Sequence, residues 1–110
     1  MADIQLKEKL VSEYFEASNT KNETKLLACF ADDIIVVDEG KTYTGIEAVR
    51  SWRNKVNTSY NVRFEIIQET AIDGRINVFA NCTGNFPGSP LVIKHSFVLR
   101  DEKIIRLEIT

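Results

Sequence analysis

The pattern of this chain predicts an α+β fold, and three observations carry the prediction. In the first half, apolar residues recur every three or four positions, the spacing of helices with one buried face. From Asn61 onward they alternate in twos, the spacing of strands. Short polar turns, Asp73-Gly74 and Asp101-Glu102, break that second half into antiparallel neighbours. Three helices followed by four long strands place the helices together on one face of a curved sheet.

Each element can be justified in order. Asp3 is placed to cap a first helix whose stripe is Leu6, Leu10 and Tyr14, with Val11 and Phe15 beside it. That helix is expected to end near Ser18, before the polar connector Asn19 to Asn22. Asn22 caps a short second helix carrying Leu26, Leu27 and Phe30. A turn at Asp32-Asp33 leads into a strand, Ile34 to Val37, apolar on both faces and therefore covered on both. Asp38-Glu39-Gly40 turns the chain into a second short strand, Lys41 to Tyr43. Thr44-Gly45-Ile46-Glu47 fits a capping box that opens a third helix. This helix buries Ile46, Val49, Trp52 and Val56, with Arg50, Arg53 and Lys55 flanking that face. The long strands then run from Val62 to Ile72, Arg75 to Phe86, Leu91 to Arg100 and Lys103 to Thr110. Their core faces are expected at Ile76, Val78, Ala80 and Cys82, at Ile93, His95, Phe97 and Leu99, and at Ile105, Leu107 and Ile109.

Composition narrows the function classes. The 110 residues form one domain, 1–110, large enough to bury a core unaided. Fourteen basic and sixteen acidic side chains are mixed along the chain, giving a formal charge of -2 and no basic stripe for a nucleic acid. No apolar run approaches the roughly 20 residues that cross a bilayer, and the amphipathic start does not read as a signal peptide. Cys29 and Cys82 stand in no metal or redox spacing, so they read as packing thiols of a cytoplasmic protein. With His95 the sole histidine, no metal site is expected, and no nucleotide or flavin motif suggests a cofactor.

Asp38 is the most informative carboxylate. Counting by twos, it shares a face with Ile34 and Val36, where lost water raises its proton affinity toward the range of a general base. The other reading is that it only opens the turn before the next strand.

Four stretches, LVSEYFEASNTKN, LLACFADDIIVVDEG, TGIEAVRSW and HSFVLRDEKIIRLEI, resemble the nuclear transport factor 2-like superfamily, in particular its SnoaL-like and ketosteroid-isomerase-like members. The resemblance covers nearly the whole chain. It implies a cone: a strongly curved, mostly antiparallel sheet wrapped round the helices, a cystatin-like α+β barrel with a pocket in its wide end. It also implies roles for three residues. Asp38 falls where isomerase-like members keep a general base, and Tyr14 where ketosteroid isomerases place an oxyanion-donating tyrosine. His95, or Lys94 in another register, falls where those isomerases keep a protonated Asp, a worked example of a carboxylic acid held neutral. That departure argues against ketosteroid isomerisation by the same groups.

Two functions follow from the resemblance. One is a cofactor-independent isomerase, dehydratase or cyclase moving a proton on a small apolar carbonyl or hydroxyl compound, with Asp38, His95 and Tyr14 as catalytic groups. The other is a dimeric ligand-binding or protein-interaction module without turnover. In either, Phe15, Phe30, Val36, Trp52, Cys82 and Phe97 are expected to line the pocket. A homodimer is expected through the open sheet face carrying Asn77, Phe79, Asn81 and Thr83, beside Val92 and Val98.

Overall fold

The computed structural model describes residues 8–110. Its elements are α1 (Lys9–Thr20), α2 (Glu23–Ala28), β1 (Phe30–Asp38), β2 (Lys41–Thr44), α3 (Ile46–Tyr60), β3 (Arg63–Ile72), β4 (Arg75–Thr83), β5 (Leu91–Arg100) and β6 (Lys103–Ile109). The expected Asp3 cap and Leu6 lie outside the described residues. Asn22 caps α2 as expected, its side chain accepting from the Lys25 N–H.

One six-stranded sheet runs in the order β2-β1-β6-β5-β4-β3. Every pairing is antiparallel except β1 with β6, which is parallel. In a flat sheet β1 and β3 would stand roughly 19 Å apart, four strand spacings. Yet two neighbouring rings of α1 reach both: Tyr14 lies 6.0 Å from Phe30 of β1, and Phe15 lies 5.6 Å from Phe64 of β3. The sheet therefore curls around α1, as the cone requires. Bulges help it bend, because an extra residue on one strand sharpens the local twist. One sits at Ile67, between Ile66 and Gln68 of β3, and another at Ile105 of β6.

The structure corrects several expectations. The bulge at Ile105 flips the alternation of β6, so Ile104 is fully buried while Ile105 is only partly so. Phe30 belongs to β1 rather than to α2, because it pairs with Ile104, whose N–H donates to the Cys29 carbonyl at 2.8 Å. Asp32 and Asp33 form no turn; they lie exposed in a bulged stretch of β1. The capping box does not form either, since Thr44 is held in the sheet opposite Ile35 and Gly45 caps α3 without a side-chain bond. β4 also stops at Thr83, three residues before Phe86, as the chain bends over the end of α3. In β1 the inner face is sealed at Ile34 and Val36, while Ile35 and Val37 opposite are only half-buried.

Candidate functional site

Asp38 ends β1 just before the two-residue turn Glu39-Gly40, where both residues adopt positive φ and Gly supplies the second at no steric cost. Its backbone pairs with Lys41 across that hairpin. The carboxylate is not spent on the turn: Oδ2 accepts a hydrogen bond from Trp52 Nε1 at 2.9 Å. The indole of α3 thus fixes the orientation of the carboxylate. β6 sets its distance from His95, because Ile109 pairs with Asp38 on one side and His95 on the other. Two strand spacings, roughly 9–10 Å, separate the two backbones.

Asp38, Ile109 and His95 wall the same cavity, about 330 Å³ in volume. Trp52, Arg53 and Val56 of α3 form another wall, Phe64 and Cys82 a third, and Tyr60, Phe86, Pro87 and Leu91 the mouth. The lining is largely apolar with few polar groups, the usual character of a small-molecule site. A groove between α1 and the β5–β6 turn is larger, about 460 Å³, but its walls are mainly exposed charges such as Lys9, Glu13, Arg100 and Glu102. The mouth is pinned where Asn85 N–H donates to the Tyr60 carbonyl at 2.7 Å. Gly84 is required there: a Cβ on it would stand 2.6 Å from that same carbonyl oxygen.

His95 is wholly buried among rings, 5.1 Å from Phe15, 5.2 Å from Phe64 and stacked on Phe97 at 6.2 Å. Neither ring nitrogen has a hydrogen-bond partner. Burial, and then the positive charge of Arg53, push its pKa down to about 3, against a weaker opposing influence from the Ile93 backbone. The imidazole is therefore neutral, one nitrogen carrying a proton and the other a lone pair. Cys82 is likewise held protonated by burial, although Arg53 and Lys21 pull the other way.

Tyr14 does not line the cavity. Its ring is fully buried behind Arg53, whose Nη2 donates to the tyrosine Oη. Burial raises the phenol pKa, and Arg53 opposes that rise. Phe15, Phe30, Val36 and Phe97 are core residues behind the cavity wall, whereas Trp52 and Cys82 are on it. The structure thus brings Asp38, His95, Trp52 and Cys82 together around one space and leaves Tyr14 one layer deeper.

Arg53 was expected to flank the apolar face of α3, and it does not. It is 3% exposed, over the Trp52 ring at 4.4 Å, and its Nε has no partner. The signal was present in its spacing, four residues after Val49 and three before Val56, which puts it inside the buried stripe. Among the described residues, no cluster of three or more His, Cys, Asp or Glu could hold a metal ion. No helix of the described residues is long and apolar enough to cross a membrane.

Comparison with known proteins places this geometry in a family. A provisionally named polyketide cyclase from Sinorhizobium meliloti is 32% identical, with 94% of each chain covered and a TM-score of 0.91. A ketosteroid isomerase-like protein from Catenulispora acidiphila, solved in complex with trimethylamine, is 22% identical over 96% of this chain and 86% of its own, with a TM-score of 0.82. A nuclear transport factor 2-like protein of unknown function from Cytophaga hutchinsonii shares the fold at 14% identity, covering 100% and 93% of the two chains with a TM-score of 0.80. No functionally curated protein matches. The SnoaL-like domain matches residues 11–107, and with that span covered the chain belongs to the SnoaL-like family, on the nuclear transport factor 2-like fold.

Proposed function

We propose that the protein binds a small, largely apolar carbonyl compound in the cavity between Asp38 and His95 and moves a proton on it without a cofactor. The observation that carries this reading is the row Asp38–Ile109–His95, which sets a held carboxylate and a neutral imidazole on one cavity. The Asp38 carboxylate takes a proton from the carbon next to the carbonyl. The electron pair of that C–H bond moves toward the carbonyl oxygen, where the N–H of neutral His95 meets the growing charge. Protonated Asp38 then returns the proton to the same carbon or, where a C=C bond is conjugated with the carbonyl, to the γ-carbon at the far end of that bond, so no group is consumed. Trp52 positions the base, and Tyr14 acts from behind through Arg53. Relatives named for cyclase and isomerase chemistry, and one that holds trimethylamine, are consistent with a small-molecule site. A homodimer through the open sheet face belongs to the same proposal, since Val92 there is 55% exposed.

The test requires no knowledge of the natural substrate. Protein in deuterated buffer is mixed with a panel of cyclic and aryl ketones, and loss of the α-proton signals is followed by NMR. The wild type is expected to accelerate exchange of at least one ketone, and Asp38→Asn to remove on the order of a hundredfold or more of that acceleration. Exchange that is equally fast with Asp38→Asn would overturn the assignment. Ligand binding without exchange across the panel would favour the second reading, a binding module.

A further inference from the structure

Arg53 is a buried cation with too few partners. Its Nη2 is bonded to the neutral Tyr14 hydroxyl, its face lies against Trp52, and its Nε meets nothing. Among the described residues it forms an ion pair with no carboxylate. A guanidinium cannot shed its proton to escape this burial, so its charge persists. Lys21 adds to the field from the same side: its Nζ donates to the Val62 carbonyl, and its charge acts on both Arg53 and Cys82. The carboxylate on the cavity wall, Asp38, is already engaged at the far edge of the same indole. Asp38 at the edge of the Trp52 indole and Arg53 over its face thus give one cavity a negative and a positive group, with Val56, Phe64 and Ile93 in its apolar lining.

We propose that the ligand is an acid: a small molecule with an apolar body whose carboxylate enters first and pairs with Arg53. The sign of the two groups orients it, carboxylate away from Asp38 and toward Arg53. A ligand anion supplies the charge that no described side chain supplies and gives the guanidinium an acceptor in a largely apolar site. A compact amine would meet the opposite preference, because Arg53 already occupies the face of Trp52. This inference rests on the cavity being a ligand site, as proposed above, and adds the charge class of what enters it.

Matched probes test it. Binding of 3-phenylpropionate, its primary amide and 3-phenylpropylamine is measured by titration calorimetry at neutral pH, with wild type and Arg53→Met. On the wild type, the acid should bind on the order of tenfold or more tighter than the amide, the return expected from one charge-assisted pair. On Arg53→Met, the ratio should fall close to one. If the amide binds as tightly as the acid, or the amine binds tightest, the cavity reading stands and the acid proposal is overturned. Binding of none of the three would overturn both. Should Arg53→Met fail to fold, the wild-type ratio decides alone. An acid that displaces the amide and shifts the Arg53 side-chain NMR signals supports the pairing, and one that leaves them unmoved refutes it.

Discussion

His95 and Arg53 face the same cavity and are buried to nearly the same degree, yet they end in opposite charge states. His95 sits in an aromatic floor with no charged or side-chain hydrogen-bond partner, and it resolves the cost of burial by giving up its proton. Arg53 has no such escape and stays charged, leaning on a phenol and an indole face. The same dry surroundings therefore remove one charge and preserve the other. What the cavity presents to a ligand is set by which groups are able to neutralise, rather than by how many are buried.

The largest expected effect tests the His95 half of that comparison. With the folded pKa depressed to about 3, the unfolded chain binds a proton near pH 6.5 that the folded chain refuses. Stability is then unaffected above pH 6.5 and falls as the pH drops toward 3. The loss is on the order of 5 kcal/mol at roughly 1.4 kcal/mol per unit. Urea melts of wild type and His95→Leu between pH 7 and 3 should show this loss in the wild type alone. A stability difference that does not change with pH would break the comparison.

A smaller effect belongs to the other half. Trp52→Phe keeps a ring under Arg53 but removes the N–H that holds Asp38. Because Asp38 is only partly buried, the stability cost should be about 1 kcal/mol. The ketone-exchange rate should fall more than ligand affinity does, since the base loses its orientation while the cavity keeps its shape. Equal losses in both would reduce Trp52 to packing.

The smallest effect comes from a control outside the cavity. On the open sheet face, Arg106 Nε donates to Glu108 Oε1 at 2.7 Å, and that bond is the main reason the Glu108 carboxyl pKa is lowered. A lowered carboxylate lends stability above its unfolded value and loses it in acid. The pair is a third exposed, so Glu108→Gln should cost no more than about 0.5 kcal/mol at neutral pH and nothing once acid has protonated the folded carboxylate. A larger cost would mean that this face is covered in solution.

Much of this was legible from residue order. The stripe of α1 from Leu10 on, the hairpin at Asp73-Gly74 and the strand faces of Asp38 and His95 follow from periodicity and turn chemistry that act locally, whereas their meeting in one site came from the family resemblance. What escaped depends on contacts distant in the chain. Ile104 faces the core only because Ile105 bulges against β5, and Thr44 cannot cap α3 because Ile35 holds it in the sheet. Arg53 escaped for another reason. A charged residue within an apolar stripe is normally assigned to the rim, and only Tyr14 and Trp52, supplied by the fold, make its burial tolerable. Tyr14 in turn was readable as a buried aromatic, while the layer it occupies, behind Arg53, was not.

The parallel pairing of β1 with β6 has a consequence for biosynthesis. Of the six described strands β6 leaves the ribosome after the other five, yet it is central in the sheet, with β1 and β2 on one side and β5, β4 and β3 on the other. Until residues 103–109 emerge, β1 and β2 can pair only with each other, and the strand carrying Asp38 offers an open edge. Joining them to β6 closes a loop of some seventy residues (Phe30 to Ile104), the kind of long-range contact that slows assembly. Asp38 and His95 acquire their spacing only when Ile109 slides between them. The two halves of the cavity are thus made early and apart, and the last of the six described strands brings them into register.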